Sequence, residues 1–156
     1  MRTGWTVWNG WNGMSALVGV CGAAVAVASA QAPADKVVTD VRKLCQVAVP
    51  ADWTYSTGTA YSAGKKISAT VHTLRDQTFA DGKTMIKSVM KPITIMQDDN
   101  KRLFYTMDPG PIAPGKSGWY VLANTTPVCS VSFTFDSGSD EAQMKKIADS
   151  LAPVAK

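Results

Sequence analysis

The sequence predicts an α+β fold: a mainly antiparallel sheet of about six to seven strands flanked by two to three helices, with one disulfide. Two segments, 44–49 and 128–135, alternate apolar and polar residues as half-buried strands do, and each carries a cysteine on its apolar face. Short turns join most of the predicted strands, which favours antiparallel pairing. Further segments have apolar residues at helical spacing, which adds helices to the sheet.

The first 32 residues differ from the rest and predict a secretory signal peptide. Arg2 is their only charge, residues 14–30 are rich in small apolar side chains, and residues 28–30 and 30–32 both fit a cleavage site between small residues. The predicted organisation is a signal peptide over 1–32 and one domain over 33–156, located in the periplasm or secreted. An uncleaved membrane anchor stays open, although the apolar run is short for a span. A lipid anchor on Cys21 is disfavoured by Val20, where that motif has a small residue.

Two cysteines remain after the signal peptide, and they predict a disulfide. An oxidising compartment and an even number of thiols favour a Cys45–Cys129 bond between two core strands. Two free, buried thiols are the alternative.

The first half of the domain is expected to contain one helix and three strands before its main helix. Residues 33–44 have valines and a leucine at roughly helical spacing and predict a short helix that leads into the strand at 44–49. An extended segment is the alternative, because β-branched residues also favour strands. Pro50 ends that strand because it cannot donate to a ladder. Residues 53–61 and 66–74 alternate and predict a hairpin around Gly64.

The second half of the domain is expected to contain two helices and four strands. Thr78 and Asp81 form a capping-box pattern at the start of a helix that ends at Pro92. Strands are expected over 102–107, 119–124 and 128–135, and a strand over 93–97 is favoured over a helix continued past Pro92. Residues 136–139 are expected to cap a closing helix with Met144, Ile147 and Leu151 on its apolar face. Residues 108–118 are rich in glycine and proline and predict an ordered loop or lid.

Two segments resemble the small exported PsbP-like domains. A first strand that runs into Val49-Pro50-Ala51-Asp52-Trp53 is similar to the family's entry motif, and residues 144–151, after a strand over 130–135, are similar to its last helix. The resemblance implies a central antiparallel sheet between helices. It also implies accessory or assembly roles without catalytic residues. The paired cysteines are not part of the family pattern.

Charge and chemistry narrow the classes of function. Without Arg2 the chain has 15 basic and 12 acidic side chains, and the basic ones are scattered, eight of them in four separate pairs, so we expect no nucleic acid partner. His72 is the only histidine and lies on the polar side of its predicted strand, which makes a Ser-His-Asp site a poor interpretation. With both cysteines paired, too few ligands remain for a zinc site, and we expect no metal and no cofactor.

Aromatic side chains with polar tips are the most suggestive feature of the domain. Such residues serve binding surfaces, although they also fill cores. We expect the 108–118 loop, with the aromatic pair at its exit, to form the rim of a binding site. The candidate binding residues are Trp53, Tyr55, Tyr105, Trp119, Tyr120 and Lys116.

The sequence therefore predicts a monomeric, non-catalytic, exported binding or accessory module of the bacterial envelope. Its partner would be a protein or a small ligand, and no membrane span is expected after signal cleavage. The alternative is a small secreted hydrolase, or an inhibitor of an extracytoplasmic hydrolase.

Overall fold

Two antiparallel sheets and two helices make up the computed structural model, which describes residues 35–90 and 92–155. The predicted signal peptide over 1–32, including Cys21, lies outside the described residues. The strands are β1 (Lys36–Thr39), β2 (Cys45–Val49), β3 (Thr54–Ser56), β4 (Thr59–Tyr61), β5 (Ile67–Leu74), β6 (Thr94–Asp98), β7 (Arg102–Met107), β8 (Ser117–Ala123), β9 (Val128–Phe135) and β10 (Ala152–Pro153). The helices are α1 (Phe79–Val89) and α2 (Glu141–Asp149).

The larger sheet has seven strands in the order β3-β4-β5-β9-β8-β7-β6, and the smaller has three in the order β1-β2-β10. Every strand pair is antiparallel. The fold is therefore α+β, as the short turns predict.

Alternation along β9 assigns the two faces of the large sheet. Cys129, Val131 and Phe133 point to one face and are buried with the small sheet and α2. Ser130, Ser132 and Thr134 fall on the opposite face, as the period of two in a strand requires. Only the first residue of β9, Val128, joins the second core, beneath α1.

Helix α1 covers one end of that opposite face. Its capping box forms as predicted: Thr78 Oγ1 accepts from the Asp81 N–H, and the Asp81 carboxylate accepts from the Thr78 N–H. Lys83 and Lys87 bridge to Asp98 of β6, which ties the helix to the sheet edge.

Three expectations need correction. The helix predicted over 33–44 is wrong for the described part, residues 35–44: β1 pairs with β2 here, and the exposed Val37 and Val41 show that the valines are not one helical stripe. The segment 53–61 is not one strand, because Thr57 and Gly58 adopt positive φ and turn β3 back onto β4. The closing helix is capped by Asp140, whose carboxylate accepts from the Gln143 N–H, and not by residues 136–139.

In the described part of the chain, neither helix has the length and apolar character needed to cross a membrane.

The Cys45–Cys129 disulfide forms as predicted, with an S–S distance of 2.02 Å. It joins β2 of the small sheet to β9 of the large sheet, and both cysteines are fully buried. Because 84 positions separate the two residues, the bond closes a long loop in the unfolded chain and strongly restricts it.

We predict that the double variant Cys45→Ala, Cys129→Ala has a free energy of unfolding lower by about 2–5 kcal/mol. Denaturant titrations of wild type and variant measure the difference, and peptide mass spectrometry without reductant should show the linked peptides. Native protein whose two cysteines are both alkylated without reduction would contradict the assignment.

Asp40 is a buried carboxylate, 3% exposed, that organises the turn between β1 and β2. It accepts the N–H groups of Arg42, Leu44 and Cys45, and the Thr73 hydroxyl donates to it from β5. Burial acts to raise the pKa of Asp40, but these four hydrogen bonds outweigh it and lower the pKa overall. The carboxylate thus links the small sheet to the large one.

The lowered pKa of Asp40 makes the free energy of unfolding depend on pH. A carboxyl whose pKa falls on folding contributes stability that is present above its unfolded pKa, near 4, and is lost as pH falls through the folded value. Asp40→Asn should therefore lower the free energy of unfolding by about 1–3 kcal/mol at neutral pH, with the difference shrinking below roughly pH 4. The matched control is Asp52→Asn, at an exposed turn position. Melting curves that show the same gap between wild type and Asp40→Asn at every pH would refute this role.

Candidate functional site

A pocket of about 270 Å³ lies between α1 and the large sheet, and we call it the α1 pocket. Its apolar walls come from the helix and from the strand side chains beneath it. Those residues are Leu74, Met85, Ile86, Met90 and Leu122. Polar groups from β5, β7, β8 and β9 complete the lining. They are His72, Tyr105, Tyr120, Ser130 and Ser132.

Gly82 sets the distance between α1 and the sheet. A Cβ at this position would lie 3.1 Å from a methyl carbon of Leu122 and 3.3 Å from one of Leu74. Glycine disfavours a helix interior, and here it lets the helix approach the strands closely. Met85 lies within α1 and Met90 directly follows it; their side chains are 39% and 37% exposed and line the pocket. Unbranched thioether side chains can adapt to a range of ligand shapes.

Tyr105 and Tyr120 face each other across β7 and β8 and form one wall. Their rings stack with centroids 5.1 Å apart and an interplanar angle of 13°. Burial, with Tyr120 nearby, raises the pKa of Tyr105 to about 12, and burial, with Asp108 nearby, also raises the pKa of Tyr120. Both phenols are therefore neutral hydroxyl groups at physiological pH.

The absence of a side chain at Gly118 determines where the Tyr120 ring can lie. A Cβ there would lie 2.8 Å from the Tyr120 ring and 3.0 Å from its hydroxyl, as well as 2.6 Å from the Met107 carbonyl oxygen. Only a glycine leaves space for the tyrosine to lie flat along the sheet. The Tyr120 ring consequently extends over Gly118, two residues earlier in β8.

His72 lies on the polar side of β5, as its position in the alternation predicts. Its Nε2 is 3.3 Å from Ser132 Oγ on β9. Burial lowers the pKa of His72, and the charge of Asp40 opposes this only in part. The imidazole is therefore mainly neutral at pH 7, and the polar lining of the α1 pocket carries no fixed charge.

The 108–118 loop borders a different, wider cleft. This shallow cleft is lined by Asp108, Lys116 and Trp119 together with parts of β6 and β7. Trp119 packs edge-to-face on Phe104 and Phe135, and Lys116 lies 3.3 Å from the Asp136 carboxylate. The loop itself holds one short 3₁₀ turn over Gly110–Ile112.

The six candidate binding residues are thus distributed over several places. Tyr105 and Tyr120 line the α1 pocket together, whereas Trp119 and Lys116 line the shallow cleft. Trp53 is buried in the core beneath the small sheet. Tyr55 is 48% exposed on β3, and its hydroxyl donates to the Thr39 carbonyl oxygen at 3.3 Å.

Sequence reasoning missed the methionines and serines of the α1 pocket. Met85 and Met90 fit the helical spacing of apolar residues around α1, and that spacing alone does not show that they line a pocket. Ser130 and Ser132 fall on the polar side of the alternation in 128–135, and nothing in the sequence shows that a helix ends beside them. A usable signal was present for the tyrosines, since Trp119 and Tyr120 are consecutive in a strand and must point to opposite faces.

No group of three or more metal-ligating side chains comes together in residues 35–90 and 92–155.

Comparisons with known proteins include a likeness to a solved structure. No protein-family model matches the chain, and no curated protein sequence matches it. The solution structure of cyanobacterial PsbP from Synechocystis sp. PCC 6803 is similar to this chain with a TM-score of 0.44 and 12% identity, over 86% of this chain and 97% of that one. That solved structure is a PsbP protein, the same family that the two sequence motifs resemble.

Proposed function

We propose that the protein is a non-catalytic, exported binding module of the bacterial envelope, and that the α1 pocket holds a small, largely apolar ligand. The observation that carries the proposal is the pocket itself, with apolar walls and a few convergent hydroxyl groups. Concave sites of this composition are the usual form of small-molecule binding sites.

The size of the pocket suits a small ligand. Since a water occupies about 30 Å³, a volume of about 270 Å³ holds roughly nine water-sized groups. An alkyl chain of about six carbons or a single aromatic ring fits this space. Each buried methylene contributes about 0.8 kcal/mol, so such a ligand gains several kcal/mol from burial before the cost of association.

Export is supported by two independent features. The leader over 1–32 has the composition of a signal peptide, and the buried Cys45–Cys129 bond belongs in an oxidising compartment.

A small secreted hydrolase is the second candidate, and the contact between His72 and Ser132 is the observation that favours it. A serine nucleophile also needs an orienting group on the histidine and donors for an oxyanion. The nearby Asp40 carboxylate instead accepts four hydrogen bonds from its own turn and from Thr73. Ser132 lies mid-strand between β5 and β8, where ladder pairing uses the backbone groups. The binding module is therefore the better account.

The two candidates make different predictions for His72→Ala. We expect wild type and this variant to hydrolyse p-nitrophenyl acetate at the same slow rate, because neither has an activated nucleophile. Release of p-nitrophenolate measures the rate, and a melting curve confirms that the variant is folded. Fast hydrolysis by wild type that both His72→Ala and Ser132→Ala abolish would establish the hydrolase instead.

The pocket is tested with n-hexanol and protein labelled at isoleucine methyl groups. We expect the Ile86 methyl signal to shift on titration while that of Ile147, in the core on the other face of the sheet, stays fixed. Replacing both Met85 and Met90 with glutamine should weaken n-hexanol binding at least about fivefold, because a polar rim removes apolar contact area.

Met96→Gln is the matched control for the rim. Met96 is 58% exposed on β6 and does not line the α1 pocket. Its replacement should leave the titration unchanged. The proposal fails if n-hexanol leaves the Ile86 signal in place, or if the control weakens binding as much as the double variant does.

A further inference from the structure

Beyond the end of α1, the same face of the large sheet carries two rows of hydroxyl side chains that run across five strands. Strand register defines both rows. The first row contains Ser56, Thr59, Thr70, Ser132 and Tyr120. The second contains Thr54, Tyr61, Ser68, Thr134 and Gly118. We call these two rows the hydroxyl field.

Every position of the hydroxyl field except Gly118 has a hydroxyl group, and no position has a charge. At Gly118 the Tyr120 phenol takes the free space, with its oxygen 3.0 Å from where a Cβ would be. Solvent-facing positions ordinarily include Lys, Glu, Arg or Asp. Two solvent-facing rows that contain neutral hydroxyl groups and no charged side chain therefore differ from an ordinary protein surface.

The dimensions suit a ligand larger than a water cluster. Five strands at about 4.8 Å spacing span roughly 19 Å, and two rows on one face lie about 7 Å apart. The side chains of the field are exposed or half-buried.

Two pairs of side chains form hydrogen bonds within the field: Thr59 with Thr70 at 3.0 Å, and Ser68 with Thr134 at 2.5 Å. A hydroxyl has one donor and two acceptor sites, so each member of these pairs still has capacity for a ligand.

The hydroxyl field is continuous with the α1 pocket. Ser132 and Tyr120 belong to the first row and also line the pocket. A molecule held in the pocket at these residues meets the field directly. The combined surface is apolar at one end and hydroxyl-rich at the other.

We propose that the ligand is a neutral amphipathic molecule, with an alkyl or similar apolar part in the α1 pocket and a polyhydroxylated, sugar-like head on the hydroxyl field. This inference rests on the proposed function and specifies the ligand's class. Sugar hydroxyls both donate and accept, as the field does, and the side chains of the two rows carry no charge that would pair with an ionic head. Lys65 borders the field with its ammonium 5.8 Å from the Tyr61 ring centroid, and the phosphate probe below tests whether this ammonium attracts an ionic head.

The test compares n-hexyl β-D-glucopyranoside, n-hexanol and n-hexyl phosphate by titration of the Ile86 methyl signal. We expect the glucoside to bind at least about tenfold more tightly than n-hexanol, and n-hexyl phosphate to bind no more tightly than n-hexanol. Thr70→Val keeps the β-branched shape and removes one hydroxyl. It should weaken the glucoside about threefold to tenfold and leave n-hexanol unchanged.

Thr106→Val is the matched control, since Thr106 lies on the opposite face of the same sheet and is also half-buried. Ser68→Ala is a second field variant should Thr70→Val fail to fold. The inference is overturned if the glucoside and n-hexanol bind with equal affinity, or if n-hexyl phosphate binds more tightly than n-hexanol. The proposed function of the α1 pocket would remain in either case. If none of the three probes moves the Ile86 signal, the proposed function itself fails and the inference fails with it.

Discussion

The alternation of β9, locked on both sides by pairing to β5 and β8, is the constraint on which the rest of the structure depends. A slip of one residue would exchange its two faces, sending Cys129, Val131 and Phe133 to solvent and the serines to the core. The disulfide to Cys45 and the burial of Phe133 hold the register. One face is thereby committed to the small sheet and α2, and the other is left polar except where α1 lies on it.

The division of the large sheet into one buried face and one mainly polar face explains the form of the candidate site. Helix α1 is 11 residues long and covers only part of this face, and a pocket remains between the helix and the strands. Its close approach at Gly82 and its ion pairs to Asp98 fix where the gap lies. The apolar pocket and the hydroxyl field are the covered and uncovered parts of one face. Neither feature needs a catalytic group, which agrees with a binding role.

The sequence predicted the features that a short pattern determines, and it failed where a long-range contact overrides such a pattern. Alternation around Cys45 and Cys129 and the Thr78–Asp81 box are local, and the structure confirms them. The spacing of Val37 and Val41 also fits a helix, yet pairing of β1 to β2 and the long-range bond of Asp40 to Thr73 decide for a strand and turn. A period of two passes unchanged through the Thr57-Gly58 turn, so a hairpin was taken for one strand. The site depends on register between β4, β5, β9 and β8, which no single segment of the sequence contains.

If the pocket and the hydroxyl field bind two halves of one molecule, both halves should give intermolecular nuclear Overhauser effects between n-hexyl β-D-glucopyranoside and methyl-labelled protein. We expect contacts from the alkyl protons to the Met90 and Ile86 methyls, and from the sugar ring protons to the Thr70 methyl. Alkyl contacts at the shallow cleft beside Trp119, or sugar protons without any contact to β5 or β9, would contradict it.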